Sequence, residues 1–276
     1  MKISPTHLIK TWGVVSALAL ACMAAGAQTI TLTNPPNSSL GATNYINNFS
    51  AGTMYTASWT GAVQVNDGAS TFYAYCIDPK TGTQFGVANT YISSSLNNFL
   101  NTPAPTTTGY QQQFTGAGYN GATYGIQNTT LVQNSLTSLF SHAYSDSLTS
   151  SVKAAAFGFA VWEIMGESTY GRIAGALRST GSDATANSDT LELQIDAYLS
   201  ALSGNSWGAV NGANLTTATS YTYTVYYDPA AHTAQNFIRV TPGSGGGTSV
   251  PEPASLALVG LALVGATLSR RRTALA

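Results

Sequence analysis

Five stretches alternate apolar and polar positions with a period of two: Thr29 to Thr33, Thr53 to Thr60, Ser70 to Ile77, Ser220 to Tyr227 and Asn236 to Val240. Their β-branched and aromatic residues suit a pleated, half-buried surface, so the pattern predicts strands. In the fourth, Tyr221, Tyr223 and Val225 share one face, and Asp228-Pro229 supplies the turn that ends it. Three other stretches repeat apolar residues every three to four positions, the spacing of one helix face. Leu131, Leu136, Leu139 and Phe140 predict a helix over 130–144. Val152, Ala155, Ala156, Phe159 and Trp162 predict another over 151–165, and Leu191, Ile195, Tyr198 and Leu202 a third over 188–202. Strands at both ends with helices between them give an α+β body, a β-rich barrel or sandwich with an inserted group of helices. The polar, Gly-rich stretches 97–122 and 172–187 predict loops.

Two apolar runs at the ends follow neither period. Trp12 to Ala25 carries no charge, is preceded by Lys2 and Lys10, and is followed by Ala25-Gly26-Ala27. A positive start, an apolar stretch and small residues at the end form a secretory signal helix, cut after Ala27 by signal peptidase. Cys22 raises a lipidated N-terminus as an alternative, but Ala19-Leu20-Ala21 puts Ala where lipoprotein signals want Leu. At the other end, the Gly/Ser linker 241–249 leads to Val250-Pro251-Glu252-Pro253, an apolar run from Ala254 to Leu268, and Arg270-Arg271-Arg272. As a helix that run rises about 22 Å, short of a hydrocarbon core of about 30 Å. The arginines favour a cytoplasmic end. A short transmembrane helix over 254–268 therefore suits transient membrane association better than a permanent anchor. The chain divides into a signal peptide (1–27), a body (28–240), a linker (241–249) and a C-terminal tail (250–276).

Pro251-Glu252-Pro253, the apolar run and the cluster Arg270, Arg271 and Arg272 together resemble the PEP-CTERM sorting signal, which exosortases process in bacteria that make exopolysaccharide. The resemblance covers only the last 27 residues. It implies export and an exosortase as processing partner. It also implies residence at the cell envelope, the outer surface or the extracellular matrix, where exopolysaccharide, biofilm components or other surface proteins are the partners.

Composition narrows the function of the body. Only 8% of the chain is charged, against about 25% in an average soluble domain. Between Gln28 and Ser249 there are five Lys/Arg and ten Asp/Glu. No basic stripe remains to neutralise phosphates, which excludes nucleic acid as a partner. The body holds a single cysteine, Cys76, so no internal disulfide is available.

Chemistry-bearing motifs are sparse. His142 and His232 stand far apart, and no His-Glu-x-x-His, Cys-x-x-Cys, phosphate loop or Gly-x-Ser-x-Gly elbow is present. His142 reads as a polar residue near a helix end and His232 as a loop residue. Asn66 and Asp67-Gly68 read as turn chemistry. Glu163 and Glu167, four apart on one helix face, are the pair that would suit a glycoside hydrolase. Like charges at that spacing repel, and the expectation is a solvated helix end. No catalytic residue, metal or cofactor is expected.

Tyr73-Ala74-Tyr75-Cys76-Ile77-Asp78 and the helix Ala154-Ala155-Ala156-Phe157-Gly158-Phe159-Ala160-Val161-Trp162-Glu163-Ile164 resemble the thioester domains of bacterial surface adhesins. In that family a Tyr-Cys-hydrophobic-acid strand faces a helix reading Gln-x-Ala-hydrophobic-Trp. Here Gly158 stands where the family has the glutamine that closes the thioester, so the resemblance implies a degenerate domain. Cys76 is then expected to be a structural thiol, because unpaired cysteine behaves as a small buried hydrophobe. A reactive thiol, or a thioester to another glutamine such as Gln194, is the alternative. The sequence thus reads as a non-enzymatic exported surface or matrix protein. The rivals are an adhesin bonding covalently through Cys76 and a secreted glycoside hydrolase.

Overall fold

A computed structural model describes residues 27–33, 40–47, 56–101, 109–114, 124–182, 189–228 and 233–243. The strands are β1 (Ala27–Leu32), β2 (Gly41–Ile46), β3 (Thr56–Asn66), β4 (Thr71–Cys76), β5 (Ala88–Ser95), β6 (Tyr221–Tyr227) and β7 (Phe237–Pro242). The helices are α1 (Leu96–Asn101), α2 (Tyr110–Gln113), α3 (Thr129–Ser147), α4 (Ser151–Gly166) and α5 (Thr190–Gly204). The expected signal helix, the linker from Ser244, the sorting residues and the tail helix over 254–268 lie outside the described residues. Among the described residues no helix is long and apolar enough to cross a membrane.

All strand pairings are antiparallel. The order β1-β5-β6-β7-β4-β3 closes on itself, because Thr31 and Leu32 of β1 pair with Asn66 and Val65 of β3. The result is a six-stranded barrel rather than a sandwich. The five helices all fall between β5 and β6, which makes them the inserted group that the order of periods predicts.

Strand β3 serves two purposes. Its first half, Thr56 to Gly61, pairs with β2 outside the ring, and its second half, Ala62 to Asn66, pairs with β4 inside it. Gly61 sits at the junction with φ +148°, where a Cβ would collide with the Leu40 carbonyl. The hairpin to β4 is made by side chains: Asn66 Oδ1 accepts from the Gly68 N–H (2.7 Å), and Asp67 Oδ1 from those of Ala69 (3.0 Å) and Ser70 (2.7 Å). This is the turn chemistry expected at those positions.

The three predicted helices form with longer or shifted ends set by their caps. Asn128 accepts from Thr130 and Leu131 at the start of α3, and Ser150 accepts from Lys153 at the start of α4. Asp189 and Glu192 make a reciprocal capping box on α5. Helix α4 is not the one-faced helix its apolar stripe suggests. Every residue from Ala154 to Gly166 is buried, Glu163 included. It packs on β2, β3 and β4 and is flanked by α3 and α5. A Cβ on Gly158 would lie 3.2 Å from the Gly61 nitrogen, so glycine lets helix and strand backbones approach. Beside that contact Phe157 packs on Tyr75 (ring centroids 4.5 Å) and Phe140 (4.9 Å), and the Tyr75 hydroxyl donates to Ser147 Oγ at 2.7 Å.

The two expected loops fare differently. In 97–122, residues through Asn101 belong to α1 and Tyr110–Gln113 form α2, while 102–108 and 115–122 lie outside the described residues. The described part of the second, Arg172 to Ser182, follows β2 instead of wandering. Tyr45 N–H donates to Gly181 O (2.9 Å), Thr180 N–H to Tyr45 O (3.0 Å) and Asn47 N–H to Arg178 O (3.1 Å).

Candidate functional site

Strand β4 ends at Cys76, and the chain then folds around Asp78. Thr81 Oγ1 donates to Asp78 Oδ2 at 2.6 Å and the Lys80 N–H to Oδ1 at 3.3 Å, an arrangement that uses a short acid to satisfy turn amides. The Asp78 N–H donates to Cys76 Sγ at 3.3 Å, and the thiol donates to Asp78 O at 3.2 Å. Helix α4 contributes Trp162, whose Nε1–H donates to Cys76 O at 3.0 Å. From the segment before β7, Gln235 donates Nε2–H to Asp78 O (3.2 Å), the carbonyl that the thiol also bonds, and accepts from Thr83 Oγ1. Strand β4 and helix α4 therefore meet at Cys76 and Trp162, the two residues on which the thioester-domain resemblance turns.

Cys76 is free and buried. Burial pushes its thiol well up, and Asp78 adds to that, against the Asp78 N–H, Trp162 and Gln235, which pull the other way. A thiol held in this way stays protonated at neutral pH and is a poor nucleophile. The glutamine beside it is Gln235, not Gln194. The latter sits on α5 with its Oε1 accepting from Asn211 at 2.9 Å and its Nε2 buried without a partner.

A cavity of about 270 Å³ opens beside this centre. Strand β3 contributes Ser58 and Trp59 to its wall, α4 contributes Trp162, and Gln235 completes that side. The opposite wall is the folded segment after Asp78, with Pro79, Thr81, Gly82 and Thr83, followed by Phe85. Trp59 meets Phe85 edge to face at 6.5 Å, and its Nε1 is buried without a hydrogen-bond partner.

Glu163 and Glu167 are not a solvated helix end. They lie buried beneath the segment Gly171 to Leu177, which folds back over α4. Glu163 Oε2 accepts from the Gly171 N–H at 3.0 Å, while its Oε1 is buried and unpaired. Glu167 Oε1 accepts from Ala176 (2.7 Å) and Leu177 (2.8 Å). Burial drives the Glu163 carboxyl well above the usual carboxylate range; the Gly171 N–H opposes this and Glu167 adds to it. Burial also raises Glu167, against the Leu177 and Ala176 amides and Arg178. The pattern of charges in the sequence cannot show this, because the covering segment comes from the stretch read as a loop.

His142 lies inside α3 rather than near its end. Its Nδ1 is 2.7 Å from Leu215 O and its ring stacks on Trp207 at 4.9 Å. His232 and the sorting residues Pro251, Glu252, Pro253, Arg270, Arg271 and Arg272 lie outside the described residues. Among the described residues, no group of three or more His, Cys, Asp or Glu side chains is placed to share a metal ion. The wall residues Trp59, Thr83, Phe85 and Gln235 carry no motif. Their sequence positions give no sign that they belong together.

Residues 249–272 match the PEP-CTERM protein-sorting motif. The motif marks an exported protein, processed by an exosortase at the cell envelope or surface. It covers the tail alone, and no curated protein and no solved structure matches the chain.

Proposed function

We propose that the protein is a non-enzymatic component of the cell surface or extracellular matrix, delivered by signal peptidase and an exosortase and associated with exopolysaccharide. The match of 249–272 to the sorting motif carries this reading. The body supports a non-catalytic role through the state of its reactive groups. The Cys76 thiol is held protonated, and one oxygen each of Glu163 and Glu167 accepts amides of the segment that covers them. Replacing Pro251, Glu252 and Pro253 with alanine removes the recognition element and keeps the apolar run. The variant is expected to remain uncleaved and held at the inner membrane, read by fractionation and mapping of the C-terminus. Normal processing of that variant would overturn the exosortase reading. N-terminal sequencing is expected to find Gln28 as the first residue, and a lipidated Cys22 would replace that assignment.

One observation favours a second reading, covalent adhesion through Cys76 in a thioester-domain-like body. The Gln235 amide and the Cys76 thiol both bond the Asp78 carbonyl, so an acyl group is at hand although Gly158 supplies none. Formation of that bond would expel ammonia. Intact mass separates the two readings: the full mass of a free thiol is expected, and a deficit of one ammonia that vanishes in Cys76→Ala would establish the adhesin.

A further inference from the structure

The cavity between β3, the segment 79–85 and α4 has a mixed wall. Its volume of about 270 Å³ lies just under the range of ordinary ligand pockets, which begins at about 300 Å³. That suits one ring better than an extended chain. Three wall residues are aromatic, Trp59, Phe85 and Trp162. The polar ones (Ser58, Thr81, Thr83 and Gln235) carry hydroxyls or an amide and no charge.

Each half of the wall rejects a class of ligand. A purely apolar occupant would cover the acceptor sites that Thr83 and Gln235 keep beyond their mutual bond, without replacing their water. An anion would find no cation among the described wall residues and would face the carboxyl of Asp78, which holds the Thr81 hydroxyl. A neutral polyhydroxylated ring satisfies both halves. Its C–H faces are weakly positive and pack on the electron-rich faces of aromatic rings, while its hydroxyls exchange bonds with the uncharged polar groups.

The wall is also set in advance. Trp162 is fixed by its bond to Cys76 O, Gln235 by Thr83 and Asp78 O, and Trp59 by its edge contact with Phe85. Groups already ordered lose little freedom when a ligand arrives.

We propose that this pocket binds one ring of a neutral saccharide, with Trp59 and Phe85 as the stacking surfaces and Thr83 and Gln235 as the orienting groups. The proposal deepens the reading of a matrix protein and rests on it for the presence of a polymer outside the cell. It gives that polymer's recognised unit a chemical class.

The test uses the full chain in a sugar-free zwitterionic detergent, titrated with maltose, cellobiose, mannobiose and chitobiose and, separately, with digalacturonate. Tryptophan fluorescence and calorimetry read the binding. Saturable binding of at least one neutral disaccharide is expected, with none for digalacturonate at the same concentration. Trp59→Ala is expected to weaken binding by about tenfold or more. The Trp59 ring also packs on Gly41, where a Cβ would collide with it; Phe85→Ala and Thr83→Val leave that contact intact and carry the test if Trp59→Ala does not fold. Preference for digalacturonate, absence of saturable binding to all four neutral sugars, or full-strength binding in the folded variants would overturn the proposal. A failed sugar titration leaves tail processing untouched, and a failed tail experiment leaves the titration untouched, so the two readings fall separately.

Discussion

Helix α4 meets two kinds of neighbour. Towards the barrel it has no charge to offer: Gly158 lies on Gly61, and Trp162 reaches the carbonyl of Cys76. Towards the segment 171–177, Glu163 of the helix and Glu167, the extended residue that ends it, present two carboxyls that accept that segment's amides in a buried setting. The first contact depends on shape, since even a Cβ added at Gly158 would press on the Gly61 nitrogen at 3.2 Å and a longer side chain must move the strand. The second depends on protonation, since burial makes the charged form costly. One side of the helix should therefore respond to the size of a substituted residue and the other to pH.

Gly158→Leu breaks the barrel side and is expected to have the largest effect. The added side chain must displace the β3 backbone, a cost of about 3 kcal/mol from overpacking. Urea unfolding should show a lower midpoint with an unchanged slope, and an unchanged midpoint would mean that α4 does not rest on Gly61.

Glu167→Ala breaks the loop side by leaving the Ala176 and Leu177 amides without an acceptor. A loss of about 1–3 kcal/mol is expected. Hydrogen exchange should quicken at those two amides while the barrel amides keep their order of protection.

The pH response sharpens the comparison further. Both acids titrate above their ordinary value, so the folded protein keeps protons that the unfolded chain releases. Stability is then full below the ordinary glutamate value of 4.5 and declines as pH rises through the raised value of Glu163. Glu163→Gln keeps an acceptor for Gly171 and cannot ionise. Its melting temperature should fall less steeply from pH 4 to 8 than that of the parent, and parallel curves would show that Glu163 does not titrate as its burial implies.

The smallest change belongs to Cys76→Ala, about 1 kcal/mol, because the Trp162 bond goes to the Cys76 carbonyl and only the weak sulfur bonds with Asp78 are lost. In the parent, a thiol reagent should label Cys76 fully in denaturant and very slowly in the folded state. Rapid labelling of the folded protein would show that burial does not hold the thiol in its protonated form.

Strands β1, β4, β6 and β7, the first half of β3 and the three long helices were legible because each carries its own period; Ala62 to Asn66, the half of β3 that enters the barrel, lies beyond the predicted stretch 53–60. Strands β2 and β5 were not legible. In β2 the buried positions include Asn44, whose Oδ1 accepts from Ser179 Oγ, so a polar side chain stands where alternation calls for an apolar one. In β5 only Tyr91 is buried among Ser, Thr and Asn neighbours, and its pairing with β1 and β6 comes from distant segments. The burial of Glu163 was hidden for the same reason, since the segment that covers it has no period of its own. That the strand ending at Cys76 faces the helix of Trp162 was implied only by the resemblance to thioester domains, not by either motif alone. Gln235 and the pocket wall were not implied at all, because four separate stretches of chain must fold before they become neighbours.

The position of the helical insert has a consequence for how the chain acquires its structure. A nascent chain emerges with β1 to β5 first, yet β5 must wait for β6, and β4 for β7, both encoded beyond all five helices. Closing the ring therefore brings together residues far apart in sequence, such as Cys76 and Phe237, and the entropy of that long closure falls on the last step. Until then β4 and β5 each present an unpaired edge, the kind of surface that joins strands of different molecules. Truncation after α5 should leave a species that self-associates, and slow, late completion should mark the kinetics of the intact chain.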